Sequence, residues 1–185
     1  GTADDFRAFI SAAHAMGIRV LLDWVANHTS RDARWITERP ADWYERDEQG
    51  VAKVPWDWTD TAKLNYANHD VWRGQIDAMR YWVENFDVDG FRCDMAEMVP
   101  EAFWTWAIAQ VKEQYPNMLF IAEVYNPERY RAYIAAGFDY LYDKVGMYDY
   151  LRGVTSKNWA AEGITQQWQS VDDIREHMLY FLENH

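Results

Sequence analysis

Cysteine is almost absent from this 185-residue sequence, which contains Cys93 and no other. A single thiol cannot form an intrachain disulfide or the cysteine cluster of a zinc site. Long apolar runs are missing as well, since no stretch approaches the roughly 18 consecutive apolar residues of a membrane-spanning helix. There are only five prolines, and no low-complexity segment or linker divides the chain. These absences favour one folded domain with no membrane span.

Basic residues are scarce, with 18 Lys and Arg against 30 Asp and Glu and a formal net charge of −12. This charge repels nucleic acids and anionic membranes, so neither is expected as a partner. A neutral ligand is compatible with the charge, although solubility alone also explains it. Aromatic residues, by contrast, make up 17% of the chain. Their ring faces can stack on sugar rings, which is compatible with a carbohydrate ligand.

Strand and helix patterns alternate along the chain, which predicts right-handed crossovers and a parallel sheet. A polar stretch, about 29–70, is too long for an ordinary connection and is predicted to be an inserted subdomain. Five segments have a strand pattern: 18–25, 88–96, 118–124, 138–143 and 178–185. Both an open doubly wound sheet and an incomplete (β/α)8 barrel fit this count. The barrel would have to be incomplete, because eight units need at least roughly 200 residues.

Helix signals lie before and between the strand segments. Thr2 and Asp5 form an acidic variant of the capping box, and the apolar stripe that follows includes Phe9. Asp70 is expected to cap the second helix. Pro100 suits the first turn of a third helix. The predicted buried stripe of that helix is Phe103, Trp104, Ala107, Ile108 and Val111.

Polar side chains concentrate where the predicted strands end. Asp23 lies near the end of the first strand segment and His28 follows it, Arg92 and Asp94 end the second, and Glu123 ends the third. In a parallel sheet these ends open on one face, where active sites are built. Asp94 and Glu123 are 29 residues apart, about the length of one βαβ unit. They are therefore expected on adjacent strands, facing one pocket.

Two neighbouring carboxylates suit glycoside cleavage, in which one attacks the anomeric carbon or activates water and the other protonates the leaving oxygen. Arg92 lies two residues before Asp94, on the same side of the strand, and is expected to lower the pKa of Asp94. Apolar neighbours of Glu123 would favour its protonated form. Taken singly, these residues are more simply explained as a surface ion pair and a solvated carboxylate. Their joint placement favours catalysis.

Four segments together resemble a known family. DWVANH (23–28), GFRCDMAEM (90–98), EVYNP (123–127) and FLENH (181–185) resemble, in order and at compatible spacing, the signature regions of glycoside hydrolase family 13, the α-amylase family. The resemblance implies a retaining hydrolase that cleaves α-1,4-glucosidic bonds in starch, glycogen or maltodextrins. It also implies a (β/α)8 barrel, of which the five strand segments would be the third to seventh strands.

Roles follow from the resemblance residue by residue. Asp94 would be the nucleophile that forms a covalent glycosyl intermediate, and Glu123 would be the general acid and then the base. Four residues would bind or position the sugar at the cleavage point: Asp23, His28, Arg92 and His185. The two histidines could instead be structural. Asn27 matches a position that ligates structural calcium in many members, so calcium is a candidate cofactor, with a turn residue as the alternative. No organic cofactor is expected.

Two departures from the family pattern bear on specificity and activity. Many starch-cleaving members carry Lys and His three and four residues after the nucleophile, where this sequence has Glu97 and Met98. The third catalytic carboxylate would follow His185, so we interpret the sequence as a partial catalytic domain that is inactive alone. Alternatives within the family are a transglycosylase and a cyclomaltodextrinase-like enzyme. A catalytically dead sugar-binding homologue and an unrelated α/β scaffold are alternatives of other classes.

Overall fold

The computed structural model of the protein describes residues 1–183, so the predicted substrate residue His185 lies outside the described part. The strands are β1 Leu21–Trp24, β2 His28–Ser30, β3 Thr61–Lys63, β4 Gly90–Cys93, β5 Leu119–Ala122, β6 Tyr140–Tyr142 and β7 Met178–Leu179. The α-helices are α1 Ala3–Ala15, α2 Arg34–Glu38, α3 His69–Phe86, α4 Glu101–Gln114, α5 Tyr130–Ala135, α6 Asp149–Lys157 and α7 Gly163–Ser170. A π-helical turn, Lys144–Tyr148, precedes α6.

One parallel sheet contains five of the strands, in the order β1-β4-β5-β6-β7. Helices α3, α4 and α5 lie between successive strands from β1 to β6. The spatial order therefore follows the chain order from one edge to the other. A doubly wound sheet reverses its strand order at a switch point, whereas the strands of a (β/α)8 barrel follow one another around the barrel. The sheet thus has the arrangement of part of a barrel.

The segment predicted as an inserted subdomain, about 29–70, contains its own small sheet. Strand β2 pairs antiparallel with β3, with His28 opposite Lys63. The Arg31 side chain ties the segment together by donating hydrogen bonds to the carbonyl oxygens of Thr59 and Ala52. The small sheet and the polar contacts account for the weak periodicity of this stretch. Its division into a separate unit stays a prediction.

The core lies between the parallel sheet and its helices. The predicted stripe of α4, from Phe103 to Val111, is confirmed, because all five of its side chains are at most 2% exposed. On the sheet, the rings of Phe91 and Phe120 are fully buried on neighbouring strands, with their centroids 5.7 Å apart. Burying a side chain of this size contributes about 1.5–3 kcal/mol to folding. These contacts hold β4 and β5 together beneath the predicted pocket.

Several predicted boundaries were wrong in detail. The capping box of Thr2 and Asp5 is present, but Phe9 is 58% exposed and lies outside the buried stripe of α1. Helix α3 is capped by Asn68 rather than by Asp70. The strands are shorter than the predicted strand segments, and β1 is only partly buried. Strand β1 pairs with β4 on one side and is the outer strand of the sheet among the described residues.

Among residues 1–183, no helix is both long enough and apolar enough to cross a bilayer.

Candidate active site

The predicted site residues are positioned by the hydrogen-bond ladder of the parallel sheet. Asp23 of β1 lies opposite Arg92 of β4 in the register. The ladder continues one residue past the strand ends, because the Asp94 N–H donates to a carbonyl of β1 and the Glu123 N–H donates to a carbonyl of β4, both at 3.0 Å. Three adjacent strands therefore deliver these residues to one edge of the sheet, as predicted.

Arg92 lies at the centre of this cluster. Its Nη1 donates to Asp23 Oδ1 at 2.8 Å and to Asp94 Oδ1 at 2.9 Å. Its Nη2 lies 2.9 Å from Glu123 Oε2 in an ion pair that is not aligned as a hydrogen bond. The side chain of Arg92 is 12% exposed, and its guanidinium lies over the ring of Tyr142 from β6, 5.3 Å from the ring centroid. One cation thus contacts all three predicted carboxylates, which brings Asp94 and Glu123 into one cluster.

Glu123 is buried among hydrogen-bond donors rather than among apolar groups alone. Its side chain is 3% exposed. Besides Arg92, the backbone N–H of Met95 donates to Oε2 and the hydroxyl of Tyr125 donates to Oε1, both at 2.9 Å. Met95 reaches this position because its backbone is left-handed, with φ of 40°, a strained conformation that is typical of functional sites. The apolar neighbours of Glu123 along the chain did not indicate these donors.

The pKa of Asp94 also differs from expectation. Burial raises the pKa of Asp94, and this outweighs the lowering by its hydrogen bond from Arg92, while the nearby charge of Glu123 raises the pKa further. Arg92 was expected to dominate, but it is shared with Asp23 and Glu123. Burial lowers the pKa of Arg92 itself, yet its three carboxylate partners raise it above the ordinary value. The guanidinium therefore remains charged.

His28 lies at the start of β2, close to the carboxylate cluster. Its ring packs against Trp58 with the centroids 5.3 Å apart, and its Nδ1 lies 3.3 Å from the amide Nδ2 of Asn27. Burial lowers the pKa of His28, opposed by the negative charges of Asp94 and Asp60. A neutral imidazole can both donate and accept a hydrogen bond, which suits contact with a sugar hydroxyl.

The calcium prediction rests on Asn27, which is 1% exposed. Calcium takes six to eight oxygen ligands. The backbone carbonyl of Asn27 accepts the N–H of Leu64 at 3.1 Å, and its amide nitrogen faces His28. Within the part of the chain that the structure describes, no three His, Cys, Asp or Glu side chains are grouped to hold a metal ion. Calcium at Asn27 therefore stays a prediction.

Two further site residues were missed by the sequence reasoning. Tyr125 lies two residues after Glu123 in EVYNP, and this spacing places both side chains on the same side of an extended chain. That signal was available in the sequence. Tyr142 packs against Arg92 from the end of β6, a contact that depends on how the fourth strand of the sheet is placed.

Comparison with known proteins agrees with this geometry. The profile of the α-amylase catalytic domain matches residues 1–63 and 57–137, which include Asp23, Arg92, Asp94 and Glu123. The chain belongs to the α-amylase family. Over 130 residues it is 35% identical to alpha-amylase MalA of Haloarcula japonica, covering 66% of this chain and 19% of that protein. Over 132 residues it is 33% identical to the alpha-1,4-glucan:maltose-1-phosphate maltosyltransferase of Rhodospirillum rubrum, covering 68% of this chain and 19% of that enzyme.

Solved structures of the α-amylase family extend the match to the fold. The maltogenic alpha-amylase AmyB of Thermotoga neapolitana is 33% identical with a TM-score of 0.83, and the match covers 100% of this chain and 42% of that one. The relatives of this chain that have known structures are (β/α)8 barrels, and its five-stranded sheet corresponds to part of such a barrel. The α-amylase family members similar to this chain include both hydrolases and transferases, so membership alone leaves the reaction open.

Proposed function

We propose that the protein is a retaining glycoside hydrolase that cleaves α-1,4-glucosidic bonds in starch, glycogen or maltodextrins. The observation that supports this most directly is the sharing of one guanidinium, that of Arg92, by Asp23, Asp94 and Glu123. Two carboxyl groups held against one cation suit double displacement at an anomeric carbon. The family match over residues 1–137 supports the same reaction class.

The proposed chemistry has two steps. Asp94 attacks the anomeric carbon while the bond to the glycosidic oxygen breaks, and Glu123 donates a proton to that oxygen as it leaves. A glycosyl ester of Asp94 results. Water then attacks the same carbon, Glu123 takes a proton from the water, and the carboxylate of Asp94 leaves. The cation of Arg92 would offset negative charge on both carboxyl groups throughout.

The surrounding polar residues would bind the sugar at the cleavage point. His28 lies half-buried near Asp94 and would hydrogen-bond a hydroxyl of this sugar. Asp23 would hold Arg92 in place through its 2.8 Å contact. His185 is proposed as a second hydroxyl ligand from the sequence alone.

The stereochemistry of the product tests this proposal. The full-length natural protein would be incubated with maltoheptaose, and the first anomer released would be followed by ¹H NMR. We expect the α-anomer to appear first, before mutarotation, because two inversions give net retention. Release of the β-anomer first would contradict double displacement.

Azide assays would assign the two carboxyl groups. With α-maltosyl fluoride as the donor, Glu123→Ala should give an α-glycosyl azide, because azide attacks the intact ester of Asp94. Asp94→Ala should give a β-glycosyl azide, because azide then occupies the place of the nucleophile. Without azide, both variants are expected to lose about a thousandfold or more in kcat. The opposite pairing of products would exchange the two roles.

Glycosyl transfer is the second candidate, and the match to a maltosyltransferase favours it. The same ester would be intercepted by a sugar or phosphate acceptor instead of water. Supplying maltoheptaose with either maltose or inorganic phosphate distinguishes the reactions, since transfer yields longer glucans or a glycosyl phosphate, and hydrolysis yields shorter sugars. Ring opening of a cyclodextrin would indicate a cyclomaltodextrinase-like enzyme. Binding of maltoheptaose without any turnover would indicate a dead sugar-binding homologue, although Asp94 and Glu123 are both present.

A further inference from the structure

Glu97 lies in the short turn after β4 and contacts the loop after β5. Its Oε2 accepts the backbone N–H of Tyr125 at 2.8 Å. The N–H of Asn126 lies 3.2 Å from Oε1 and 3.3 Å from Oε2. This carboxylate therefore binds two successive peptide groups, both immediately downstream of Glu123. Such contacts fix the course of a loop that otherwise has freedom to move.

The side chain of Tyr125 connects this fixed backbone to Glu123, the proposed acid/base residue. Its hydroxyl donates to Glu123 Oε1 at 2.9 Å. On the other side, Nζ of Lys144 lies 5.5 Å from the centroid of the tyrosine ring, within the range of a cation–π contact. Burial and the adjacent carboxylate of Glu123 raise the pKa of Tyr125 to about 12. The hydroxyl thus keeps its proton across the pH range in which enzymes of this kind work.

The two oxygens of Glu123 have different partners. Oε2 faces Arg92 and the N–H of Met95, which can donate but cannot accept a hydrogen bond. Oε1 is contacted by the hydroxyl of Tyr125, which can donate to a carboxylate and accept from a protonated carboxyl group. Because its surroundings tolerate a proton, Oε1 is the oxygen suited to carry one. Tyr125 can remain bonded to Glu123 in both protonation states.

We propose that Tyr125 and Glu97 are positioning residues for proton transfer by Glu123. Tyr125 orients Oε1 toward the glycosidic oxygen, and Glu97 acts through Tyr125 by holding its backbone. This inference rests on the proposed function, because it assigns Glu123 the role of acid and base. It concerns residues outside the set predicted from the sequence.

Tyr125→Phe in the full-length natural protein tests the hydroxyl. We expect kcat/KM for maltotetraose to fall by about 10- to 100-fold, because misplacing a proton donor forfeits part of a contribution of 10²–10⁴. The alkaline limb of the pH profile should move to higher pH, since the ionised form of Glu123 loses a donor. The matched control is Tyr115→Phe, which removes a 2.8 Å hydrogen bond from a tyrosine to Glu84 away from the pocket. Its kinetics should match those of the natural enzyme.

A substrate with a different leaving group distinguishes a positioning role of Tyr125 from an effect on folding or on substrate binding. Fluoride departs from α-maltosyl fluoride without being protonated, so its kcat/KM should fall by less than about threefold in Tyr125→Phe. An equal loss on both substrates, or an unmoved alkaline limb, would overturn the proposal. Absence of activity in the natural enzyme on both substrates would count against the proposed function instead.

Glu97→Ala and Glu97→Gln test the second residue. The alanine variant should reproduce the substrate-dependent loss of Tyr125→Phe, and the glutamine variant should restore part of it, because one amide oxygen still accepts from the loop. A crystal structure supplies a readout that is independent of activity. If the hydroxyl of Tyr125 remains within hydrogen-bond distance of Glu123 in Glu97→Ala, the positioning role of Glu97 is wrong.

Discussion

At the scale of single residues, Arg92 is the side chain on which the arrangement of the site depends most. Its side chain is 12% exposed and contacts carboxylates of three different strands, of which Glu123 is 3% exposed. A buried ion pair can be nearly neutral for stability when it is intact, but removing one partner leaves an uncompensated buried charge. Arg92 therefore affects both the charge balance of the site and the stability of the fold beneath it.

Two substitutions of Arg92 should distinguish the effect of its charge from the effect of its shape. We expect Arg92→Ala to lower the free energy of unfolding by about 3–5 kcal/mol, because Glu123 loses its cation. Arg92→Lys keeps the charge but not the fork that spans several oxygens, so it should lose less stability while still losing most of kcat/KM. Urea unfolding and steady-state kinetics measure the two effects.

Arg131 provides the matched control for this pair. It makes two contacts to Asp173, at 2.6 and 2.9 Å, but both side chains are at least half exposed. Exposed ion pairs contribute about 0–1 kcal/mol, so Arg131→Ala should be nearly neutral. A cost as large as that of Arg92→Ala would argue against burial as the cause.

The raised pKa of Asp94 has a consequence for the pH dependence of activity. The nucleophile must be ionised, so kcat/KM rises as the pH increases through the pKa of Asp94, and the acidic limb should lie above the ordinary carboxyl value of 3.8. The charge of Asp23 contributes to the rise. Asp23→Asn removes that charge, so the acidic limb should move to lower pH. A limb that stays in place or moves upward would contradict this assignment.

At the scale of elements, the sequence predicted helix faces better than helix ends. The stripe of α4 was correct because periodicity reports burial over several turns. The cap of α3 was wrong because both Asn68 and Asp70 are good capping residues, and the choice depends on where the chain leaves its extended conformation. Asn68 has that conformation, with φ −91° and ψ 112°, and its side chain accepts the N–H of Asp70.

The corrected cap of α3 can be tested directly. Asn68→Ala should destabilise the protein by about 1 kcal/mol, because the first turn of the helix loses its side-chain acceptor. Asp70→Ala should cost less, since Asp70 contributes an exposed ion pair to Arg73, with the two side chains 64% and 68% exposed, and such pairs contribute little. Thermal unfolding of both variants gives the order. The reverse order would restore Asp70 as the cap.

In the active site, the convergence of the two carboxylates was predictable from the sequence, whereas the groups that contact them were not. Carboxylates at the ends of parallel strands converge through topology, so Asp94 and Glu123 could be placed together without coordinates. The donors around Glu123 depend on the turn after each strand. The left-handed backbone of Met95 could not be predicted from the sequence, because methionine rarely adopts this conformation. The pKa of Asp94 was mispredicted because the sequence shows neighbours along the chain and not how Arg92 is shared.

At the scale of the whole molecule, the parallel sheet has two outer strands among residues 1–183, β1 and β7. Large apolar side chains next to them are exposed, with Ile18 at 52%, Val25 at 40% and Leu182 at 80%. An outer strand presents unpaired backbone groups on one side, and natural proteins protect such edges with charges, prolines or covering elements. An unprotected apolar edge favours association between chains.

We therefore expect the 185-residue chain, when expressed by itself, to self-associate through these outer strands. Sedimentation velocity should reveal oligomers that grow with concentration. Val25→Lys places a charge at the edge of β1 and should raise the monomer fraction. A chain that stays monomeric at every concentration, or a monomer fraction that Val25→Lys leaves unchanged, would contradict this role of the outer strands.

The ladder that aligns Asp23, Arg92 and Ile121 in one row also limits how the gene can change in length. Inserting one codon within β4 would turn every following side chain of that strand to the opposite face, and Arg92 or Asp94 would leave the pocket. An insertion of the same size near Gln49, in an exposed turn of the small-sheet segment, leaves the row intact. Evolution of substrate range in this protein is therefore expected to proceed by lengthening loops, while the spacing within β1, β4 and β5 stays constant.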